Sequence, residues 1–204
     1  MPQQLFPWVH HDQLSQDSCI HLLAPHFDVF SGALFGAWNR WMDSIHPDTR
    51  ADISTMQRGG VIYDLACARA RVLIATQEGL EPCDELGFFK VYVQDQLVVR
   101  FKKLRNDYSV NLSGATDQCR EFYHNSDLSG IRGHCQRLTC GYILDAAEEE
   151  IADIAITCQF GETILWNVSI IDSGYSFDSA NDGHDSLPAQ PTIVPIVSGQ
   201  AVEA

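Results

Sequence analysis

The chain reads as an α+β domain: an N-terminal antiparallel helix pair packed on a mainly antiparallel sheet of about five strands, built from two long hairpins, with a disordered C-terminal tail. Three observations predict this. Apolar residues recur at steps of three and four up to about residue 77, and at steps of two between Phe89 and Ile171. Beyond that the composition changes: Tyr175 to Ala204 holds three prolines, four acids and no Lys or Arg. The expected division is therefore a poorly ordered segment at 1–25, a single α+β domain at 26–174, and a flexible, acidic, proline-containing tail at 175–204.

The first helix follows from Phe27, Phe30, Leu34, Trp38, Trp41 and Ile45, a stripe of the width that any core-facing helix shows. Pro47 stops it, and Asp48 or Thr49 can cap a second helix from Thr49 to about Gln77. Gly59-Gly60 in its middle predicts a kink, a break or a close helix crossing. Gly79 and Pro82 end it.

Two hairpins follow. Phe89, Val91 and Val93 share a face with Leu97, Val99 and Phe101 only if the loop has an odd number of residues, as Gln94-Asp95-Gln96 does. That register sets Lys90 opposite Arg100. After a polar loop and a short helix near Thr116–Asn125, strands are predicted at Leu138–Asp145, Ile151–Phe160 and Ile164–Ile171. The last two match Ile154, Ile156, Cys158 and Phe160 with Ile170, Val168, Trp166 and Ile164 across Gly161-Glu162-Thr163.

Charge narrows the function classes. In 204 residues, 27 Asp and Glu stand against 13 Lys and Arg, a net charge of −14. Such a field repels nucleic acid and anionic membranes and suits a protein partner with a basic surface. No basic region followed by an apolar run opens the chain, and no stretch reaches the ~18 apolar residues of a spanning helix. Seven scattered cysteines, an odd number, read as reduced thiols, so the expected compartment is cytoplasmic.

The common phosphate-loop, zinc-protease, nucleophile-elbow and dinucleotide motifs are absent, and no cofactor is implied. Four constellations remain. Lys90, Tyr92, Arg100 and Lys102 form a basic patch able to bind an anion or an acidic partner, because two opposed cations on one strand pair call for a negative charge between them. The acid run Glu148, Glu149 and Glu150, with Asp153, offers a surface to a basic partner. Arg40 and His46 have the spacing of an Arg–His ribonuclease pair, the Arg steadying a phosphate and the His moving a proton. His124, His134, Cys135 and Cys140 carry the donor types zinc prefers, although no metal site follows from their spacing. The histidines at 10, 11, 21 and 26 belong to a segment expected to be exposed, and the apolar run Pro191–Val197 could add as a strand to a sheet edge.

Two functions stay open from the sequence. The favoured one is a non-enzymatic acidic interaction or regulatory protein, of antitoxin, immunity or inhibitor type. The alternative is a small phosphoesterase or ribonuclease whose basic hairpin holds phosphate.

Overall fold

The computed structural model describes residues 14–85, 87–113, 115–124, 131–132 and 134–171. The proposed tail at 175–204, its Pro191–Val197 run, and His10 and His11 lie outside the described residues. Among those described, no helix is long and apolar enough to cross a membrane.

The architecture is α+β, with helices and a six-stranded, mostly antiparallel sheet. The helical half starts earlier than the stripe suggested. Helix α1 (Gln16–Leu23) is opened by Ser15, whose hydroxyl accepts the Ser18 amide at 3.2 Å. It buries Cys19 and Leu23 completely. A 3-10 turn, Ala24–His26, leads into α2 (Phe27–Ser44). The expected second helix is two. Helix α3 (Pro47–Asp52) is short, with Pro47 in its first turn. Helix α4 (Thr55–Ile74) then begins anew at Ser54, which exchanges hydrogen bonds with Gln57 in a capping box.

The break therefore falls at Ile53-Ser54, not at Gly59-Gly60, where α4 runs unbroken and nothing lies within 4 Å of a built Cβ. The close helix approach uses glycines of α2 instead. A Cβ on Gly36 would meet the Arg69 side chain at 3.4 Å, and one on Gly32 would meet Leu73 at 3.6 Å.

The sheet has strand order β1-β2-β3-β4-β5-β6: β1 (Leu80–Glu85), β2 (Phe88–Val93), β3 (Leu97–Lys103), β4 (Gln136–Leu144), β5 (Ile151–Phe160) and β6 (Thr163–Ser169). The sixth strand is β1, where Pro82 sits in an edge position that tolerates its missing donor. The first hairpin has the expected register, Val91 opposite Val99 and Val93 opposite Leu97. In the last hairpin Cys158 faces Trp166 as expected, but a bulge shifts Phe160 onto Thr163. The turn there has two residues, with Gly161 at φ 54° supplying the positive dihedral that such tight hairpins require.

Strands β3 and β4 run parallel, from Leu97 beside Gln136 to Lys103 beside Tyr142. A parallel pair needs a long crossover, and the connection from Leu104 to Cys135 supplies it, carrying helix α5 (Asp117–Tyr123). At seven residues α5 is too short to hold itself in water. Phe122 and Tyr123 anchor it, each nearly fully buried.

The crossover changes the layer count. Helices α1, α2 and α4 cover one face through Phe89, Val91, Leu97, Val99, Phe101, Leu138, Ile154 and Ile156. Helix α5 and its loops cover the other, over Phe88, Tyr92, Val98, Ile143 and Ala155. Helices on one face only was the expectation; with both faces covered, every residue of β2 and the first five of β3 are buried.

Candidate functional site

The second core layer takes in the basic patch that the first hairpin seemed to offer to solvent. Lys90 is 2% exposed and Arg100 4%. The Lys90 ammonium donates to Glu85 at 3.1 Å and lies over the Tyr92 ring at 6.0 Å. Arg100 has no carboxylate among the described residues. Its guanidinium sits 4.3 Å from the Phe88 ring centre, 5.2 Å from Phe122 and 5.7 Å from Tyr123, and donates to the Cys119 sulfur at 3.5 Å. The aromatic faces supply the negative potential that a counter-ion would otherwise supply. Its Nε is buried without a partner among the described residues.

Arg137, also buried, donates to the Glu121 and Phe122 carbonyls at 2.8 and 3.2 Å and so caps the C-terminus of α5. Tyr92 does not stack on anything in solvent; its ring lies 4.2 Å under the Arg132 guanidinium. The sequence-predicted anion site is thus an internal layer of cations and aromatic rings. Lys102, half-buried, is the member without a partner among the described residues, and burial together with Arg100 holds its ammonium below the usual lysine range.

Lys102 also borders a groove of about 340 Å³ with Gly59, Gly60, Tyr63, Phe101 and Lys103. The groove lies between the first turns of α4 and the end of β3. Two cations line it, but Lys103 is committed to Glu148 at 2.7 Å.

The acid run is partly committed as well. Asp145 collects the amides of Ala147, Glu149 and Glu150 at 3.3, 2.7 and 3.0 Å, which holds its carboxyl below the ordinary range and folds the β4–β5 turn. Glu148, in left-handed backbone at φ 56°, binds both Arg58 and Lys103. Asp153 accepts from the Tyr108 hydroxyl at 2.9 Å and the Ser169 hydroxyl at 2.6 Å. Of the four acids proposed as a partner surface, Glu149 and Glu150 remain exposed.

Arg40 and His46 are both exposed, and His46 is occupied as the N-cap of α3, accepting the Asp48 amide at 3.4 Å. The four donors read as a zinc set are dispersed. Cys140 is fully buried under the helices, while His124 packs edge-on against Phe160 at 5.9 Å. His134 and Cys135 stay together, but at the tip of the sheet beside Asp95. His26, expected in an exposed segment, is 6% exposed, with a buried Nδ1 lacking a partner among the described residues.

Three residues of the tip were not among the site residues the sequence suggested. Asp95, at φ 57° beside Gln94 at φ 48°, closes the β2–β3 turn in a conformation that non-glycine residues rarely adopt. Arg132 binds its carboxylate at 2.5 Å and Glu81 at 2.8 Å. Only the parallel pairing of β3 with β4 brings Arg132 to Asp95, so no local pattern could have shown it.

Compared with protein-family models, with curated proteins and with solved structures, the chain matches none of them.

Proposed function

We propose that the protein is a non-enzymatic interaction module that binds a protein partner through an acidic surface. One observation supports this above the others: among the described residues the exposed charges are mostly anions, while three cations, Lys90, Arg100 and Arg137, are buried. All 13 bases lie among the described residues, and four of them, Arg40, Arg71, Arg105 and Arg120, are exposed. Arg71 is bound to Asp84 and Arg120 to Asp117. Among the described residues sixteen carboxylates are exposed, seven of them on the helical layer: Asp17, Asp28, Asp43, Asp48, Asp52, Asp64 and Glu78. The helical layer holds a larger share of the exposed acids than the β4–β5 turn, and a basic partner would meet them there.

The phosphate-ester alternative draws no support from this geometry. It needs Lys90 and Arg100 open to a cleft, and both are buried. The test is capture from a lysate of the source cells on the immobilised full chain, at low and at high salt. A discrete basic partner held at low salt and released at high salt is expected. Finding no partner, or one that a variant with Asp43, Asp48, Asp52 and Asp64 all changed to Asn holds equally well, overturns the proposal.

A further inference from the structure

The tip of the sheet carries a donor set that the interaction reading does not use. Asp95, His134 and Cys135 each offer one ligand atom, and these atoms all lie within 4.8 Å of one another. The His134 Nε2 and the Cys135 sulfur converge on one acceptor, the Asp95 carbonyl oxygen, at 2.9 and 3.5 Å. The Asp95 carboxylate is divided between two tasks. Arg132 holds its Oδ1 at 2.5 Å, and its Oδ2 faces His134 Nε2 at 3.6 Å.

We propose that Asp95, His134 and Cys135 bind a divalent, thiophilic cation of the zinc type, with Arg132 and Glu81 orienting the carboxylate. Carboxylate, imidazole and thiolate are the donors zinc takes, and three protein ligands leave a fourth position open. The charges balance. Asp95, Glu81 and the Cys135 thiolate carry three negative charges, Arg132 carries one positive, and a divalent ion cancels the remainder. Ligating carboxylates are themselves held by hydrogen bonds in metal sites, and Arg132, stacked on Tyr92 and tied to Glu81, holds this one.

The position has a structural consequence. The cluster stands where the parallel ladder begins, next to the hydrogen bond from the Gln136 amide to the Gln96 carbonyl at 2.9 Å. A cation there would lock the β2–β3 turn to the start of β4 and close the whole crossover loop. Binding releases the Cys135 proton, so affinity rises with pH.

The test is titration of the chelator-stripped full chain with zinc chloride by calorimetry and with cobalt(II) chloride by absorption. One ion per chain is expected, and the cobalt form should show thiolate charge-transfer and tetrahedral bands. Cys135→Ser removes the charge-transfer band, whereas Cys83→Ser, which changes a thiol outside the cluster, keeps it. His134→Ala and Asp95→Asn each weaken zinc at least tenfold. His134 is exposed, so its variant keeps the test valid even where Cys135→Ser fails to fold. Absence of the charge-transfer band, or zinc affinity unchanged in His134→Ala, overturns the proposal.

Discussion

The Tyr63 hydroxyl accepts the amide hydrogen of Phe89 at 3.1 Å, at the point where β2 parts from β3. A backbone donor that loses its ladder partner in the interior must find another acceptor, and a side chain of α4 supplies it. Burial pushes the phenol up to about 12, so it keeps its proton at all ordinary pH values. Tyr63→Phe leaves the amide unpaired and should cost about 1–3 kcal/mol. Urea denaturation measures it, with faster hydrogen exchange at the Phe89 amide.

Glycine positions divide by what surrounds them. A Cβ on Gly141 would meet Leu104 Cγ at 2.4 Å and the Lys102 carbonyl oxygen at 2.7 Å, and the second of these is backbone of the paired strand. Gly141→Ala should cost about 1–3 kcal/mol, as forced overpacking does. Gly60→Ala, in the same urea assay, should gain up to about 1 kcal/mol, because it removes helix-interior glycine entropy and touches nothing.

Arg100 holds its charge in the interior with aromatic rings and a thiol as neighbours. Replacing it by Met removes the desolvation cost of that charge and forfeits cation–π contacts worth roughly 0.5–2 kcal/mol. Arg100→Met should therefore fold, with stability between unchanged and about 1–2 kcal/mol higher. Loss of more than about 1 kcal/mol would show that the guanidinium is a net stabiliser.

Acid should act on the fold in two steps. Burial lowers the His26 pKa below its ordinary 6.5, so the unfolded chain takes up this proton first. Its contribution is whole above pH 6.5 and declines as pH falls through the folded value. Lys103 and Arg58 lower the Glu148 carboxyl below 4.5 through their hydrogen bonds. That stability is present above pH 4.5 and is lost on further acidification, as Glu148 protonates in the folded state. In thermal melts across pH 3 to 7, His26→Phe should flatten the first decline and Glu148→Gln the second.

The sequence carried the fold class because its periods are strong. The stripe from Phe27 to Ile45 and the alternation in β2, β3 and β5 each reflect one face that has to be buried. It showed less of the sheet's second face. There the same alternation reads as polar, since Lys90, Arg100 and Arg137 are cations, and the α5 rings that meet Arg100 and Arg137, Phe122 and Tyr123, are remote from Arg100 along the chain. The break before α4 was legible in Ser54 and Gln57, a capping box that the longer apolar pattern obscured. Candidate sites fared differently. His134 and Cys135 were marked by donor type, but Asp95 joins them only through the parallel ladder.

The proposed role of the helical layer rests on its exposed acids, and association kinetics address it most directly. The rate constant for the captured partner should be measured from 20 to 500 mM salt with the wild-type chain and with Asp43, Asp48, Asp52 and Asp64 changed to Asn. Steering by that layer gives a rate that falls steeply with salt and a shallower slope in the variant, with dissociation little changed. Superimposable slopes would contradict the account.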